Sequence, residues 1–309
     1  MFPNPSLSCV LTLFSFALLL SRVTLTNGQE STPISSCSQT FTGMDSGVIL
    51  SPGFPDTYAD DEFCNYAVVV PSDKQVNLTF ILAALEQRKE QLLDYIVIFD
   101  GVDCMSKRIA AVVDTSTPTF ISSGNSLVAL FSSDATHRRS PFVAEFSTVT
   151  GQTPTEPVSP PPVNYILAKC GQEINDESGS LSYRGELGWN HLCIWKISVG
   201  TGKKIHLNFT TIRITYGGSW LRVLDGGDCA APTIYFRPGL ASVRDVELIS
   251  TSNSLMIVYA ALAGRITDRL ELSYYTENTG GRLHADCKTL SMVFATMILT
   301  AAARCSTHI

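Results

Sequence analysis

The chain repeats one pattern of cysteines, strands and turns twice, and this recurrence restricts its fold more than any other feature. Stretches 37–149 and 170–276 each open on a cysteine, Cys37 or Cys170. A second cysteine, Cys64 or Cys193, then leads a run centred on an aromatic, CNYAVVV or CIWKISV. An apolar alternation ending in Phe follows, Val76-Leu78-Phe80 in one and Ile205-Leu207-Phe209 in the other. Next comes a run closing on Asp-Gly, DYIVIFDG or WLRVLDG, with Asp-Cys within four residues, and finally a run holding Asn-Ser-Leu, GNSLVALFSSD or SNSLMIVYAAL. Short strands broken by Gly, Pro and Asn predict an antiparallel β-sandwich for each stretch, because alternate side chains of a strand face opposite sides of its sheet. No long 3.6-residue periodicity competes outside the termini. The segment GQTPTEPVSPPP between them has five prolines and no core pattern, so 150–168 is expected to be a semi-rigid, extended linker. The expected fold class is all-β, two tandem sandwiches joined by a proline-rich linker.

The two ends differ from the middle. Residues 9–20, CVLTLFSFALLL, are apolar but would rise only about 18 Å as a helix, short of the roughly 30 Å of a bilayer core. They are expected to belong to a secretory signal peptide spanning 1–28. Near the other end, the small residues Asn278-Thr279-Gly280 precede the polar spacer GRLHADCK and the apolar run Leu290–Ala303. That order is expected of a glycosylphosphatidylinositol (GPI) attachment signal over 279–309, with Asn278 as the lipidated residue. A short membrane span and a packed terminal helix are the alternatives.

Charge and motifs narrow the function classes. The net charge of −6 argues against nucleic acid, whose backbone is bound by clustered Lys and Arg. Residues 37–149 hold fourteen acids against seven basic residues, whereas 170–276 hold ten of each, so the first stretch suits a basic partner. The five histidines form no HExxH pair, and there is no GxSxG, so no enzymatic role is expected. Asn77-Leu78-Thr79 and Asn208-Phe209-Thr210 are glycosylation sequons on the polar phase of their strands. Trp220 reads either as core or as an exposed recognition residue.

The run Gly47-Val48-Ile49-Leu50-Ser51-Pro52-Gly53-Phe54-Pro55-Asp56-Thr57-Tyr58, then Cys64-Asn65-Tyr66, Asp94–Gly101 and Asn125–Asp134, resembles a CUB domain. The second stretch resembles one more distantly, through Cys193-Ile194-Trp195, Asp225-Gly226 and Ser252–Leu255. The resemblance implies extracellular binding modules and the disulfides Cys37–Cys64 and Cys170–Cys193. The family's second bridge has no counterpart, since Gln91 and Tyr216 stand where its cysteine is usual. Cys104 and Cys229 occupy matching DGxDC positions, where they bridge the domains, pair between chains or stay free.

The resemblance also implies a Ca²⁺ site in the first domain only, formed by Glu86, Asp94 and Asp134 and supported by Tyr58. A hard cation wanting six to eight oxygens turns the mutual repulsion of such carboxylates into binding. By the same alignment Thr215, Ser219 and Leu262 replace the acids of the second stretch. The expected function is a membrane-anchored, extracellular adaptor that binds a cell-surface protein in a calcium-dependent way, a partner Lys or Arg docking on the acidic site. The alternatives are a structural or glycan-binding matrix or coat component, or an accessory of a secreted protease.

Overall fold

The computed structural model describes residues 37–83, 85, 87–88, 91–92, 94–112, 117–134, 141–156, 170–185, 191–261 and 267–279. The signal-peptide expectation, most of the proline-rich segment and the apolar tail lie outside the described residues. Strands of the first half are β1 (Gln39–Thr42), β2 (Ser46–Leu50), β3 (Phe63–Val69), β4 (Gln75–Leu82), β5 (Gln87–Arg88) and β6 (Gln91–Leu92). They continue with β7 (Tyr95–Asp100), β8 (Lys107–Val112), β9 (Thr119–Ile121), β10 (Ser126–Ser132) and β11 (Val143–Val149). The second half has β12 (Glu173–Ile174), β13 (Ser178–Arg184), β14 (His191–Ser198), β15 (Lys203–Ile214) and β16 (Trp220–Leu224). After these come β17 (Thr233–Pro238), β18 (Ala241–Val243), β19 (Val246–Ile249), β20 (Ser254–Ala261) and β21 (Arg269–Asn278). No helix occurs among the described residues.

The strand orders of the two halves coincide. One sheet of the first sandwich runs β1-β3-β10-β7-β8 and the other β2-β11-β4-β9; their counterparts run β12-β14-β20-β16-β17 and β13-β21-β15-β18, with β19 also paired to β15. Even the parallel pairing of β1 with β3 recurs between β12 and β14. The recurring sequence signals are the fastenings of this frame. Asp100 Oδ1 accepts from Ser123 N at 2.8 Å, and Asp225 Oδ1 from Thr251 N at 2.8 Å. Each following glycine, Gly101 at φ 148° and Gly226 at φ 158°, leaves no room for a Cβ, which would lie 2.4 Å from Ser106 Oγ or 2.6 Å from the Ala231 methyl. The Asn side chain of each Asn-Ser-Leu run donates to a carbonyl of the adjoining loop, Asn125 to Val70 and Asn253 to Val199.

Each sandwich has its own core, with Leu78, Phe80, Ile96, Ile98 and Phe131 in the first and Leu207, Phe209, Leu221, Val223 and Ile257 in the second. A third core joins them. The opposite phase of the inner strands, including Val97, Phe99 and Leu130 on one side and Ile194, Met256 and Val258 on the other, forms a single buried cluster. The β1-β3-β10-β7-β8 and β12-β14-β20-β16-β17 sheets therefore face each other, and the described residues form one four-layered body. This explains why β7, β10, β16 and β20 are buried along almost their whole length with no exposed phase. Trp220 is buried in this third core, edge-on to Phe63 at 5.5 Å between centroids.

The bridges Cys37–Cys64 and Cys170–Cys193 lie within the sandwiches, and Cys104–Cys229 crosses between them with Cα atoms 6.1 Å apart. Its cysteines are presented by matching Asx turns. Asp103 Oδ1 accepts from Met105 N at 3.0 Å and Asp228 Oδ1 from Ala230 N at 2.8 Å, which turns each DGxDC loop at the cysteine. The first residues after β11 do not leave the first sandwich at once. Thr155 N donates to Ile121 O at 2.8 Å and Gln152 N to Gln75 Oε1 at 3.0 Å. A Cys104→Ser/Cys229→Ser double variant is expected to lose about 2–4 kcal/mol of stability, because the bridge spans a long loop. Urea unfolding followed by both tryptophan fluorescence and circular dichroism should still show one coincident transition, held by the shared core.

Candidate metal centre

Asp94 immediately precedes β7 and Asp134 follows β10, and these neighbouring inner strands bring the two acids together although forty positions separate them. Both are buried, with 1% and 6% of their surfaces exposed. The Asp134 amide donates to Asp94 Oδ1 at 3.0 Å, and the Tyr58 hydroxyl donates to Asp94 Oδ2 at 2.5 Å. Tyr58 is itself buried, edge-on to Phe131 at 4.9 Å. The structure thus assembles three of the four residues expected for the site; Glu86 lies outside the described residues.

Two further acids belong to this end of the sandwich and were not singled out in the sequence. Asp60 and Asp61 sit in the loop before β3, and the Asp61 amide donates to the Asp134 carbonyl at 3.0 Å. The loop is tied to the end of β10 by Ser133, whose hydroxyl donates to Ala59 O at 2.9 Å and accepts from Glu62 N at 2.9 Å. Burial raises the Asp61 pKa from its ordinary 3.8, and the charges of Asp60 and Asp134 add to the rise, while Arg222 opposes it. Glu62 is also raised, by burial first, again with Arg222 opposing. The signal that would have found Asp60 and Asp61 is their place between Tyr58 and Cys64, on the same loop as the supporting tyrosine. Carboxylate oxygens supply every acidic donor here, a set suited to a hard cation such as Ca²⁺ and not to one that seeks nitrogen or sulfur.

The second sandwich arranges the same corner differently among the described residues. One carboxylate there, Asp268, is 1% exposed and engaged by protein donors. Thr215 donates its amide at 2.8 Å and its hydroxyl at 2.5 Å to Oδ1, and the Tyr259 hydroxyl donates to Oδ2 at 2.6 Å. Burial raises the Tyr259 pKa, and the adjacent Asp268 charge raises it further, so the phenol remains a donor. Asp268 gives no sequence signal of this role, because it stands at none of the positions that match the acids of the first stretch. Ser219 bonds to Tyr259, and Leu262 lies outside the described residues.

Both sequon asparagines fall at matching points on the outer sheets. Asn77 on β4 pairs with Ser147, and Asn208 on β15 pairs with Ser273; both are half-buried and in the phase turned away from their cores. Asn278 is the exposed last residue of β21, paired with Lys203.

Residues 37–146 match the family model described as CUB domain. Tolloid-like protein 2 of Mus musculus is 25% identical over 223 residues, which is 68% of this chain and 20% of that protein. Cubilin of Homo sapiens is 29% identical over 256 residues, 80% of this chain and 6% of that protein, an alignment longer than the family match. The chain therefore spans a fifth or less of the length of these relatives. Among solved structures, the CUB1-EGF-CUB2 domains of rat MASP-1 align at 15% identity and TM-score 0.32, covering 77% of this chain and 99% of that one. The MASP-1 CUB2 domain bound to Ca²⁺ aligns at 25% identity and TM-score 0.33, covering 37% of this chain and 99% of that one.

Two outcomes follow from the electrostatics. Tyr259→Phe removes one of three donors from a buried carboxylate and should cost about 1–3 kcal/mol, equally with and without Ca²⁺, in denaturant titrations. For Asp61 the folded pKa is raised, so the folded state holds the proton more firmly and stability falls as pH rises through that window. In chelator, Asp61→Asn should therefore gain on the wild type as pH rises from just below 4; a difference independent of pH would show that Asp61 is not strained by its neighbours.

Proposed function

We propose that this protein is an extracellular adaptor whose first sandwich binds Ca²⁺ and, through the metal-bound acids, a basic side chain of a protein partner. The observation that carries the reading is the buried Asp94–Asp134 pair with its Tyr58 support, set beside Asp60 and Asp61. Asp94, Asp134 and Glu86 would hold the cation, and Tyr58 would fix the orientation of Asp94. The cation would neutralise the crowded carboxylates and leave their outward oxygens to pair with a Lys or Arg. The excess of acids in the first stretch supports steering of such a partner, an effect that salt weakens. The second sandwich, with its carboxylate already satisfied by protein donors, is assigned no metal.

Three disulfides support an oxidising compartment, since such bonds persist outside the cytosol. On this reading 1–28 direct secretion, 37–149 and 170–276 are the binding domains, and 279–309 direct lipid anchoring at Asn278. Asn77 and Asn208 carry glycans on the outer sheets, and the protein acts without catalysis.

Calorimetry of the intact protein is expected to show one Ca²⁺ site, with an affinity in the range of extracellular modules, about 10⁻⁴–10⁻³ M. Asp134→Ala should weaken it beyond detection, and chelator should release the partner captured from cell surfaces. An Asp134→Ala isotherm equal to that of the wild type would refute the assignment.

A further inference from the structure

Strand β16 carries an arginine in an apolar setting. Its residues alternate: Leu221 and Val223 point into the second sandwich, while Trp220, Arg222 and Leu224 point toward the first. Arg222 is 2% exposed, and its guanidinium lies among three rings, 4.2 Å from the centroid of Phe236, 5.4 Å from Phe63 and 5.5 Å from Trp220. Phe63 belongs to the first sandwich and the other two to the second. Burial lowers the Arg222 pKa to about 10, so the side chain is still a cation at neutral pH. Its Nη2 donates to the carbonyl oxygen of Asp61.

At that carbonyl the second sandwich touches the acidic loop. Asp61 adopts φ 57°, a left-handed conformation that aspartate tolerates better than most residues. On one side the loop is held by Asp134 O and Ser133 Oγ at the end of β10, and on the other by Arg222. A buried charge is weak evidence for added stability, because desolvation offsets its attractions. A buried cation held across an interface serves more directly to fix geometry.

We propose that Arg222 is a positioning residue for the first sandwich's cation site: it holds the 59–62 loop against Asp134, so that calcium binding is coupled to docking of the second sandwich. The proposal rests on the calcium reading given above. It makes the site a property of the two-sandwich body. By linkage, the factor by which docking tightens calcium binding is also the factor by which calcium tightens docking.

The sign of one substitution separates this role from simple electrostatics. Arg222 places a positive charge near a site for another cation, so charge alone predicts that its removal tightens calcium binding. Positioning predicts the reverse. Arg222→Met fills the ring-lined space with an apolar chain of similar length, and calorimetry on the intact protein should show calcium affinity lowered about 10- to 100-fold, the usual effect of losing an outer-shell support. Unchanged or tighter binding would overturn the proposal. A second measurement needs only the wild type and decides the matter if the variant does not fold: added Ca²⁺ should slow amide exchange in β16. A wild type that binds Ca²⁺ without any response in β16 overturns the coupling and leaves the calcium site standing. A wild type that takes up no Ca²⁺ in calorimetry overturns both.

Discussion

The structure depends on the burial of the inner sheets on both faces. A sheet in a single sandwich needs one apolar face, yet β7, β10, β16 and β20 carry two. Left apart, the sandwiches would expose Val97, Phe99, Leu130, Ile194, Met256 and Val258 to water. Their mutual packing removes that surface, and the Cys104–Cys229 bridge and Arg222 sit at places the packing has already brought close. The bridge is thus a consequence of the docking geometry as well as a reinforcement of it.

Duplication explains what the halves share, and divergence explains what they do differently. The turn aspartates Asp100 and Asp225, the turn glycines and the loop-pinning Asn125 and Asn253 do the same mechanical tasks in both. At the corner beyond β10 and β20 the halves part. The first gathers acids around a buried pair, and the second engages one acid with Thr215 and Tyr259. A carboxylate with three protein donors has little need of a cation, whereas a group of carboxylates has much. Arg222 ties the two halves together there, since on the proposed reading it is the second half that steadies the acidic loop of the first.

Much of the candidate site was legible because its parts lie in runs with strong local character. Tyr58 closes a turn-rich segment, Asp94 comes just before an apolar strand and Asp134 just after another, so each could be placed beside an element before any distance was known. Asp60, Asp61 and Asp268 were not legible in the same way. Their roles come from where loops fold back, Asp61 onto Asp134 and Asp268 onto Thr215, and a loop's path leaves no periodic trace in sequence. Arg222 was hidden for a related reason. In WLRVL an arginine reads as the solvent phase of a strand, and only a second sheet and three rings make that phase an interior.

The sequence by itself determined the all-β class, the repeat, the strand phases and the local fastenings, because turn residues, cysteine spacing and alternation act over a few positions. It also held a trace of the docking, in runs such as YIVIF and SLMIVYAA that lack a polar phase. Which surface covers that second apolar phase was decided by tertiary structure alone. The apolar effect is non-directional, so a buried face can be recognised from its residues, while its partner is chosen by the shape and register of sheets far apart in the chain. The pairing of Cys104 with Cys229 and the reach of Arg222 to Asp61 were settled by that same choice.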